Sequence, residues 1–566
     1  MAREDSKQRS LSRRRFMQGA AAMAASGTLL ASAARAAREH ESGEHESRER
    51  HSRGRDSECE GSRDLNLVNG RFLTLDADNS VVSAIGIRDG RIVEVGHGGM
   101  LGPCGRTINL KGATVIPGLI DSHVHFIRCG QNPGHEVRII ETAASVGELQ
   151  QMISARIREL NVPAGEFITC VGGWNINGLA EKRLPTLAEL DAAAPGHAVY
   201  LSTTGAGGAV TNSVGKAFFE SRGVTVTINT GGAATLNSGQ AFAALQAVQT
   251  DADRQRGTAE AVDFAASLGL TMVTDMGTQG AAVEYVDGHK YMMNLWREGN
   301  LKIRLRSFLN SSFDTGFTAA QSVVTYSFPR HGDDVFRSNG VGERVNNSTT
   351  NPGYVDLVKF AASKGWMVTQ HSLTSTEISF HISAYQQAKA IAAIDKLRWT
   401  LDHVNPISDD QIAAVKDLGI GLRLQGWNYT SAAPAGPPWR KLVDAGIPLS
   451  AGTDSTNVGP LNPWLTMYYM TTMKNNAGTA ATPANQQISR LEALRMYTNG
   501  SAFHSFDEDK LGSIEVGKLA DLAVLSDDPL SVSDEKLKRL RSVLTLQAGR
   551  IVHGADKAEH DSDHGR

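Results

Sequence analysis

The chain has 566 residues, of which 41% are hydrophobic and 21% charged, and its formal net charge is −3. This composition is typical of a globular protein with a large core, and the length predicts two or more domains or one large barrel with additions. The balanced charge, without a basic stripe that carries aromatic residues, argues against nucleic acid as a partner. The four cysteines have no CxxC spacing, so neither a thiolate zinc site nor a disulfide framework is expected; a Cys104–Cys129 disulfide and buried free thiols are the alternatives for Cys104 and Cys129.

The amino terminus carries an arginine-rich stretch around Arg13 and Arg14, which precedes a small-residue apolar run from Gly19 to Ala34. The pattern resembles a bacterial twin-arginine export signal, with these two arginines as the pair that the export machinery reads. The apolar run is short for a membrane span, so we expect cleavage near Ala33 or Ala36 and no stable membrane insertion afterwards; an uncleaved anchor is the alternative. The resemblance implies a signal peptide over residues 1–36 and a periplasmic or secreted protein.

Two segments are too polar to fold. Residues 37–63 consist almost entirely of Arg, Glu, Ser, His and Gly, and residues 554–566 have a similar character. Such segments cannot bury enough apolar surface to offset the entropy of ordering, so we predict a disordered linker and a disordered tail.

The two ends of the remaining chain are predicted to be rich in β-strands. Residues 64–75, 81–95 and 107–110 alternate like strands around Asn-Gly and Asp-Gly turns, and residues 512–525 and 543–552 are again strand-like.

The first candidate site follows the apolar run that begins at Val115. This run ends in His123 and His125, whose side chains point to the same face of a strand because alternate residues do so. Imidazole is a common ligand of divalent metals, so the pair indicates half of a metal site, with Asp121 as a nearby supporting group.

Strand-like and helix-like segments alternate in the middle of the chain, which favours a parallel α/β architecture. The predicted helices cover residues 259–268, 354–363 and 409–418, and a further helix ends at residues 442–445. The predicted strands cover residues 270–275, 301–308, 367–371, 420–425 and 449–454. His371, His403 and Asp454 each close an apolar strand-like run, where catalytic groups of a (β/α)8 barrel lie.

Several stretches resemble the metal-dependent amidohydrolase superfamily. PGLIDSHVHF at residues 117–126 and GSIEVGKLADLAVL at residues 512–525 are similar to its opening and closing segments. GGWN at residues 172–175, TDMG at 274–277 and GTDS at 452–455 resemble its YtcJ-like branch, also called the amidohydrolase 3 group. The resemblance implies an α/β fold, namely a (β/α)8 TIM barrel with insertions over residues 115–505, and a small β-sandwich domain built from both chain termini over residues 64–114 and 506–553.

The resemblance also implies a set of metal ligands and a catalytic group. His123 and His125 match the first strand, His371 the fifth, His403 the sixth and Asp454 the eighth. Asp454 would be the general base beside a metal-activated water; an aspartate that opens a turn is the alternative. Many relatives carry a bridging carboxylated lysine at the fourth strand, where this chain offers Glu343 as a ligand; if Glu343 instead pairs with Arg344 in a surface loop, the site holds one ion and not two. Zinc is the default metal, and manganese, iron or cobalt are alternatives.

This chain departs from the branch at residues that would face the substrate, so the substrate of a relative is not carried over to it. The branch often has His-Ala-x-Gly-Asp after the fifth strand, where this chain has His371-Ser372-Leu373, and a Gly-His pair is missing from residues 203–213. We expect an exported hydrolase that attacks a small-molecule amide, formamide, carbamate or cyclic amide. A lactone or ester hydrolase with the same site and a non-catalytic exported metal-binding or regulatory protein are the alternatives, and a homo-oligomer is left open. Trp174 is expected in the pocket or in a core, and the aromatic loop 426–439 is either a lid or a rigid connection.

Overall fold

The computed structural model describes residues 65–97, 105–204, 208–277, 282–310, 318–344, 353–431, 436–456 and 458–554. The signal peptide and linker expected over residues 1–63, and all but the first residue of the tail, lie outside these ranges, as do Cys59 and Cys104. Cys129 and Cys170 are buried free thiols. Across the described ranges, the helices are all too short or too polar to cross a membrane.

Eight parallel strands form a barrel at the centre of the protein, which confirms the predicted TIM barrel. In chain order they are β1 (Leu119–Val124), β2 (Leu270–Asp275), β3 (Arg304–Leu309), β4 (Phe336–Val341), β5 (Met367–Ser372), β6 (Thr400–His403), β7 (Gly421–Gln425) and β8 (Leu449–Gly452). Each strand pairs with its neighbour in the sequence. Hydrogen bonds from Asp454 N to His123 O and from His125 N to Ser455 O, both 2.9 Å, join the last strand to the first.

Helices connect the strands, and their boundaries follow from capping residues. The side chain of Thr374 accepts a hydrogen bond from the backbone N–H of Glu377, and the side chain of Ser408 accepts one from that of Gln411. The side chains of Glu377 and Gln411 in turn accept hydrogen bonds from the backbone N–H groups of Thr374 and Ser408. Such reciprocal caps satisfy backbone donors that the first helical turn leaves free. The helices between β1 and β8 and outside the inserted domain are Phe126–Gly130, Asp251–Ser267, Ala282–Arg297, Thr318–Tyr326, Gly353–Ser363, Ser375–Lys389, Asp409–Leu418 and Trp439–Asp444. Pro463–Thr472, Arg490–Arg495, Ser501–His504 and Asp534–Leu537 follow β8.

Two sheets built from both ends of the chain form a sandwich, as the resemblance implied. One contains Arg91–Gly96, Ala84–Arg88, Leu65–Val68 and Arg106–Asn109, in that order. The other contains Arg550–His553, Ser542–Gln547, Leu522–Leu525, Thr114–Pro117, Arg71–Leu73 and Val81–Val82. Leu67, Phe72 and Leu546 belong to one shared apolar core.

The predicted strand over residues 512–525 forms only at its end, Leu522–Leu525. Before that point the chain runs as a loop along the first sheet, where Gly517 N donates to Ile92 O at 2.8 Å and Ile92 N donates to Lys518 O at 2.9 Å. The loop ends at Asp521, whose carboxylate receives two hydrogen bonds of 2.8 Å from the buried Arg304 of β3. This two-point ion pair fixes the sandwich to the barrel.

A separate domain is inserted between β1 and β2. Its six-stranded sheet has the order Val226–Ile228, Ala234–Leu236, Ala209–Thr211, Ala198–Ser202, Phe167–Val171 and His135–Glu136. Its helices are Val146–Leu160, Leu187–Ala193, Ser213–Ser221 and Ser238–Gln246. Trp174 is 3% exposed and packs in the apolar core of this domain with Ile168 and Leu190, so of the two expected roles it has the core one.

Candidate metal centre

The six side chains predicted as ligands meet at one end of the barrel. His123 lies near the end of β1 and His125 just after it, while His371 and His403 lie within the last two residues of β5 and β6. Glu343 and Asp454 each follow their strand, β4 or β8, by two residues. All six are buried, and they come from the carboxyl ends of five strands, where barrel enzymes place their catalytic groups.

Glu343 lies at the centre of the four histidines and not in a surface loop. Its Oε2 is 2.8 Å from His371 Nδ1 and 3.1 Å from His403 Nε2, and its Oε1 is 3.4 Å from His125 Nε2. His123 Nε2 is 3.7 Å from Oε2. Arg344 also approaches this carboxylate, at 3.7 Å.

Asp454 faces the first histidine pair. Its Oδ1 is 3.3 Å from His125 Nε2 and 3.5 Å from His123 Nε2, and its Oδ2 is 3.8 Å from His403 Nδ1. The carboxylates of Asp454 and Glu343 therefore approach the same two histidines of β1 from two sides.

The backbone adopts a left-handed conformation at the ends of the strands that carry two of these groups. His403, Val404 and Asp454 have left-handed φ angles of 70°, 45° and 55°. Non-glycine residues adopt this conformation at a cost in energy, and such residues cluster at functional sites. Asp121 fixes the β1–β8 junction, because it accepts hydrogen bonds from Thr453 Oγ1 at 2.5 Å and from the His123 backbone N at 3.0 Å.

The buried charges shift one another's protonation. Burial disfavours the Asp454 carboxylate, but the neighbouring imidazoles of His123 and His125 outweigh that effect and hold its pKa below the usual value. Glu343 behaves in the same way because of His371 and His123. The two carboxylates in turn outweigh the burial of His125 and raise its pKa to about 9. Both carboxylates are thus ionised at neutral pH, which is the form that binds cations.

The donor set fits a divalent cation. His123, His125 and Asp454 form one group whose ligand atoms all lie within 4.8 Å of one another, and His123, Glu343 and His403 form a second. Both ring nitrogens of His123 are buried without a hydrogen-bond partner among the described residues. Buried polar atoms are otherwise nearly always paired, so unpaired imidazole nitrogens in a nitrogen and oxygen donor set favour a metal ligand.

A cavity of about 280 Å³ opens onto these residues. Arg344 and Trp427 line it together with predicted ligands, and so do Arg128 and Thr456, which were not foreseen from the sequence. Arg128 could have been noticed as a cation three residues after His125, one helical turn onward. Trp427 places the start of the aromatic loop 426–439 at the cavity wall, whereas Trp439 at its other end is fully buried in the core.

Asp402 was also not foreseen. Its Oδ2 is 3.6 Å from His123 Nδ1 and accepts a hydrogen bond of 2.6 Å from Thr369 Oγ1. Side chains normally alternate along a strand, so the neighbours Asp402 and His403 were not expected in one site. The left-handed backbone at His403 breaks that alternation.

Comparison with known proteins agrees with this arrangement. The sequence profile of the amidohydrolase family matches residues 106–553. The N-substituted formamide deformylase of Arthrobacter pascens is 24% identical over 535 residues, which are 86% of this chain and 98% of that protein. The putative amidohydrolase YtcJ of Bacillus subtilis is 25% identical over 217 residues, 35% of this chain and 39% of that protein.

Solved structures share the fold. An uncharacterized metal-dependent hydrolase from Pyrococcus furiosus superposes with a TM-score of 0.54 at 21% identity and covers 83% of this chain and 100% of its own. Atrazine chlorohydrolase TrzN from Arthrobacter aurescens, solved with zinc, gives a TM-score of 0.52 at 16% identity over 88% of this chain and 99% of its own.

Proposed function

The chain belongs to the amidohydrolase family, and we propose that it hydrolyses a carbon–nitrogen bond in a small-molecule amide, formamide, carbamate or cyclic amide. One observation carries the proposal: Asp454 and Glu343 meet four histidines, three of which line the same cavity as the two carboxylates. The similarity to a protein named N-substituted formamide deformylase supports the choice of bond.

We propose zinc as the metal, in one or two ions, because nitrogen and oxygen ligands in this number suit zinc. His123, His125 and Asp454 would hold one ion, and Glu343, His371 and His403, with His123, would hold another. The TrzN structure, which contains zinc, shares the fold and supports this choice.

The protein's own groups supply the proton transfers. A divalent cation held here would polarise the substrate carbonyl and lower the pKa of water. Asp454, whose low pKa keeps it ionised, accepts a proton from the attacking water as the carbon–oxygen bond forms. It then donates that proton to the leaving nitrogen as the carbon–nitrogen bond breaks, so that an acid and an amine are released. Asp121 holds the β1–β8 junction that aims Asp454.

The test is the Asp454→Asn variant, assayed with zinc on a panel of formamides, amides and cyclic amides. Loss of the base is expected to lower kcat per bound ion by about 10²- to 10⁴-fold. Asp444→Asn is the matched control, since Asp444 forms only an exposed ion pair with Arg440. Unchanged turnover in Asp454→Asn would show that Asp454 is not the general base. Turnover of esters and lactones alone would move the assignment to the alternative bond, and metal binding without any turnover would favour the non-catalytic alternative.

We also propose that the protein is exported through the twin-arginine route. The proposal rests on Arg13, Arg14 and the apolar run after them, and a folded enzyme that already holds its metal suits this route. Replacement of both arginines by lysine should retain the full-length chain in the cytoplasm, which fractionation of the producing cells measures.

A further inference from the structure

The cavity above the metal centre holds a cation that the proposed mechanism does not use. Arg128 lies on the short helix Phe126–Gly130, directly after the two histidines of β1, and lines the cavity with His125 and Asp454. Its side chain is half-buried. Burial lowers the pKa of this guanidinium, against the attraction of the carboxylates of Asp454, Asp275 and Glu343.

Arg128 differs from the buried arginines of β3 in its contacts. Arg304 and Arg306 each make a two-point ion pair with one aspartate, at 2.8–3.0 Å. The Arg128 guanidinium, by contrast, makes neither a hydrogen bond nor an ion pair with any residue that the structure describes, and it faces the cavity. All of its donors are therefore available to a ligand that enters the cavity.

The charge balance of the cavity points to the sign of that ligand. One divalent cation would neutralise the charges of Glu343 and Asp454, which are the two carboxylates that line the cavity. Arg128 and Arg344 would then leave the lining of the cavity with two positive charges. A planar guanidinium binds a carboxylate through two parallel hydrogen bonds, which makes that group the best match.

We propose that the substrate carries a carboxylate and that Arg128 binds it in the cavity of Asp454. This inference rests on the proposed function, because it names the substrate class for the same site. The cavity of about 280 Å³ lies near the lower end of the range for small-molecule sites. The expected substrate is therefore a compact N-acylated or N-formylated acid and not a neutral formamide.

A matched pair of substrates tests the preference. N-formylglycine and N-formylglycinamide share the scissile formyl bond and differ only in the charged group, and released formate reports that bond alone. With the zinc-loaded enzyme, kcat/KM should be about 10- to 100-fold higher for the acid, as charge-assisted hydrogen bonds predict. Arg128→Met should bring the ratio close to one, mainly through KM, and Arg128→Lys should keep part of the preference.

Binding provides a readout that does not depend on turnover. Calorimetry compares 4-oxopentanoate with hexane-2,5-dione, which are similar in shape and have no bond to hydrolyse. The wild type should bind the acid more tightly, and Arg128→Met should lose that preference. Arg158→Met is the control, since Arg158 is exposed on the helix Val146–Leu160 outside the barrel.

These experiments distinguish failure of the carboxylate site from failure of the proposed hydrolysis. Equal binding of both probes by the wild type, or an acid preference that survives in Arg128→Met, would overturn the carboxylate site even if formate is released. An acid preference that depends on Arg128 without release from any carbon–nitrogen substrate would sustain the carboxylate site and overturn the proposed hydrolysis. If Arg128→Met fails to fold, Arg128→Gln, which also removes the charge, carries the comparison.

Discussion

Glu343→Gln tests whether this carboxylate joins the two halves of the metal centre. Three histidine nitrogens lie within 3.4 Å of its oxygens and a fourth within 3.7 Å. The amide removes the only carboxylate from the group of His123, Glu343 and His403. Loss of supporting groups alone weakens metal binding by about 10- to 100-fold, so loss of a ligand should weaken the second ion by at least that factor.

The assay is metal content per chain after gel filtration in metal-free buffer, followed by urea unfolding of the metal-free protein. The variant should retain about one ion fewer than the wild type, if the wild type holds two. Without metal it should also be less stable by about 3–5 kcal/mol, because it removes a buried carboxylate that raises the pKa of both His123 and His125 and so stabilises their charged forms. Glu220→Gln is the control: its exposed pair with Lys216 should contribute less than about 1 kcal/mol. Unchanged metal content together with unchanged stability in Glu343→Gln would refute the bridging role.

Two further changes test the scaffold. In Gly452→Ala, the new Cβ would lie 2.6 Å from both the N and O of His123, so β1 and β8 must separate. We expect the free energy of unfolding to fall by about 1–3 kcal/mol and metal to be retained less well, as thermal unfolding and metal content measure. Gly96→Ala is the control, because its new Cβ would lie in open space, and it should match the wild type. Burial lowers the pKa of His381 from 6.5 to about 4, so the unfolded chain takes up a proton there before the folded one does and stability falls as pH drops through this window. Between about pH 7 and pH 5, the free energy of unfolding in urea should therefore fall by about 2 kcal/mol less in His381→Gln than in the wild type. An equal fall in both proteins would contradict a buried neutral imidazole at His381.

The barrel and the positions of the candidate ligands could be predicted because local signals agree with the family resemblance. A short apolar run that ends in a polar, metal-capable residue marks a strand end, and His371 and Asp454 follow that rule with β5 and β8. Parallel strands bring such ends to one rim, so residues more than 300 positions apart, such as His123 and Asp454, could be expected together.

Other features depend on contacts that no local pattern contains. The inserted sheet has strands as short as His135–Glu136 and Ala209–Thr211, which are too brief to show a period of two. Asp402 was missed because the reversal at His403 is set by the closed barrel and not by the residues themselves. The apolar pattern over residues 512–525 suggested a long strand, but the edge of the neighbouring sheet holds most of it as a loop.

Metal loading and the charge of the cavity are linked through the two nitrogens of His371. Arg344 Nη2 lies 3.0 Å from His371 Nε2 and can donate only if that nitrogen carries no proton. His371 Nδ1 faces Glu343 and His403, at 2.8 Å from each. A neutral imidazole that binds a cation through Nδ1 must carry its proton on Nε2, so the hydrogen bond from Arg344 and a cation on Nδ1 exclude each other. Occupation of the metal centre would therefore break the hydrogen bond between Arg344 and His371 and leave Arg344 with its longer contact to Glu343. Because the cation would also offset the charge of Glu343, the cavity that Arg128 and Arg344 line would be most favourable to an anion in its metal-loaded form.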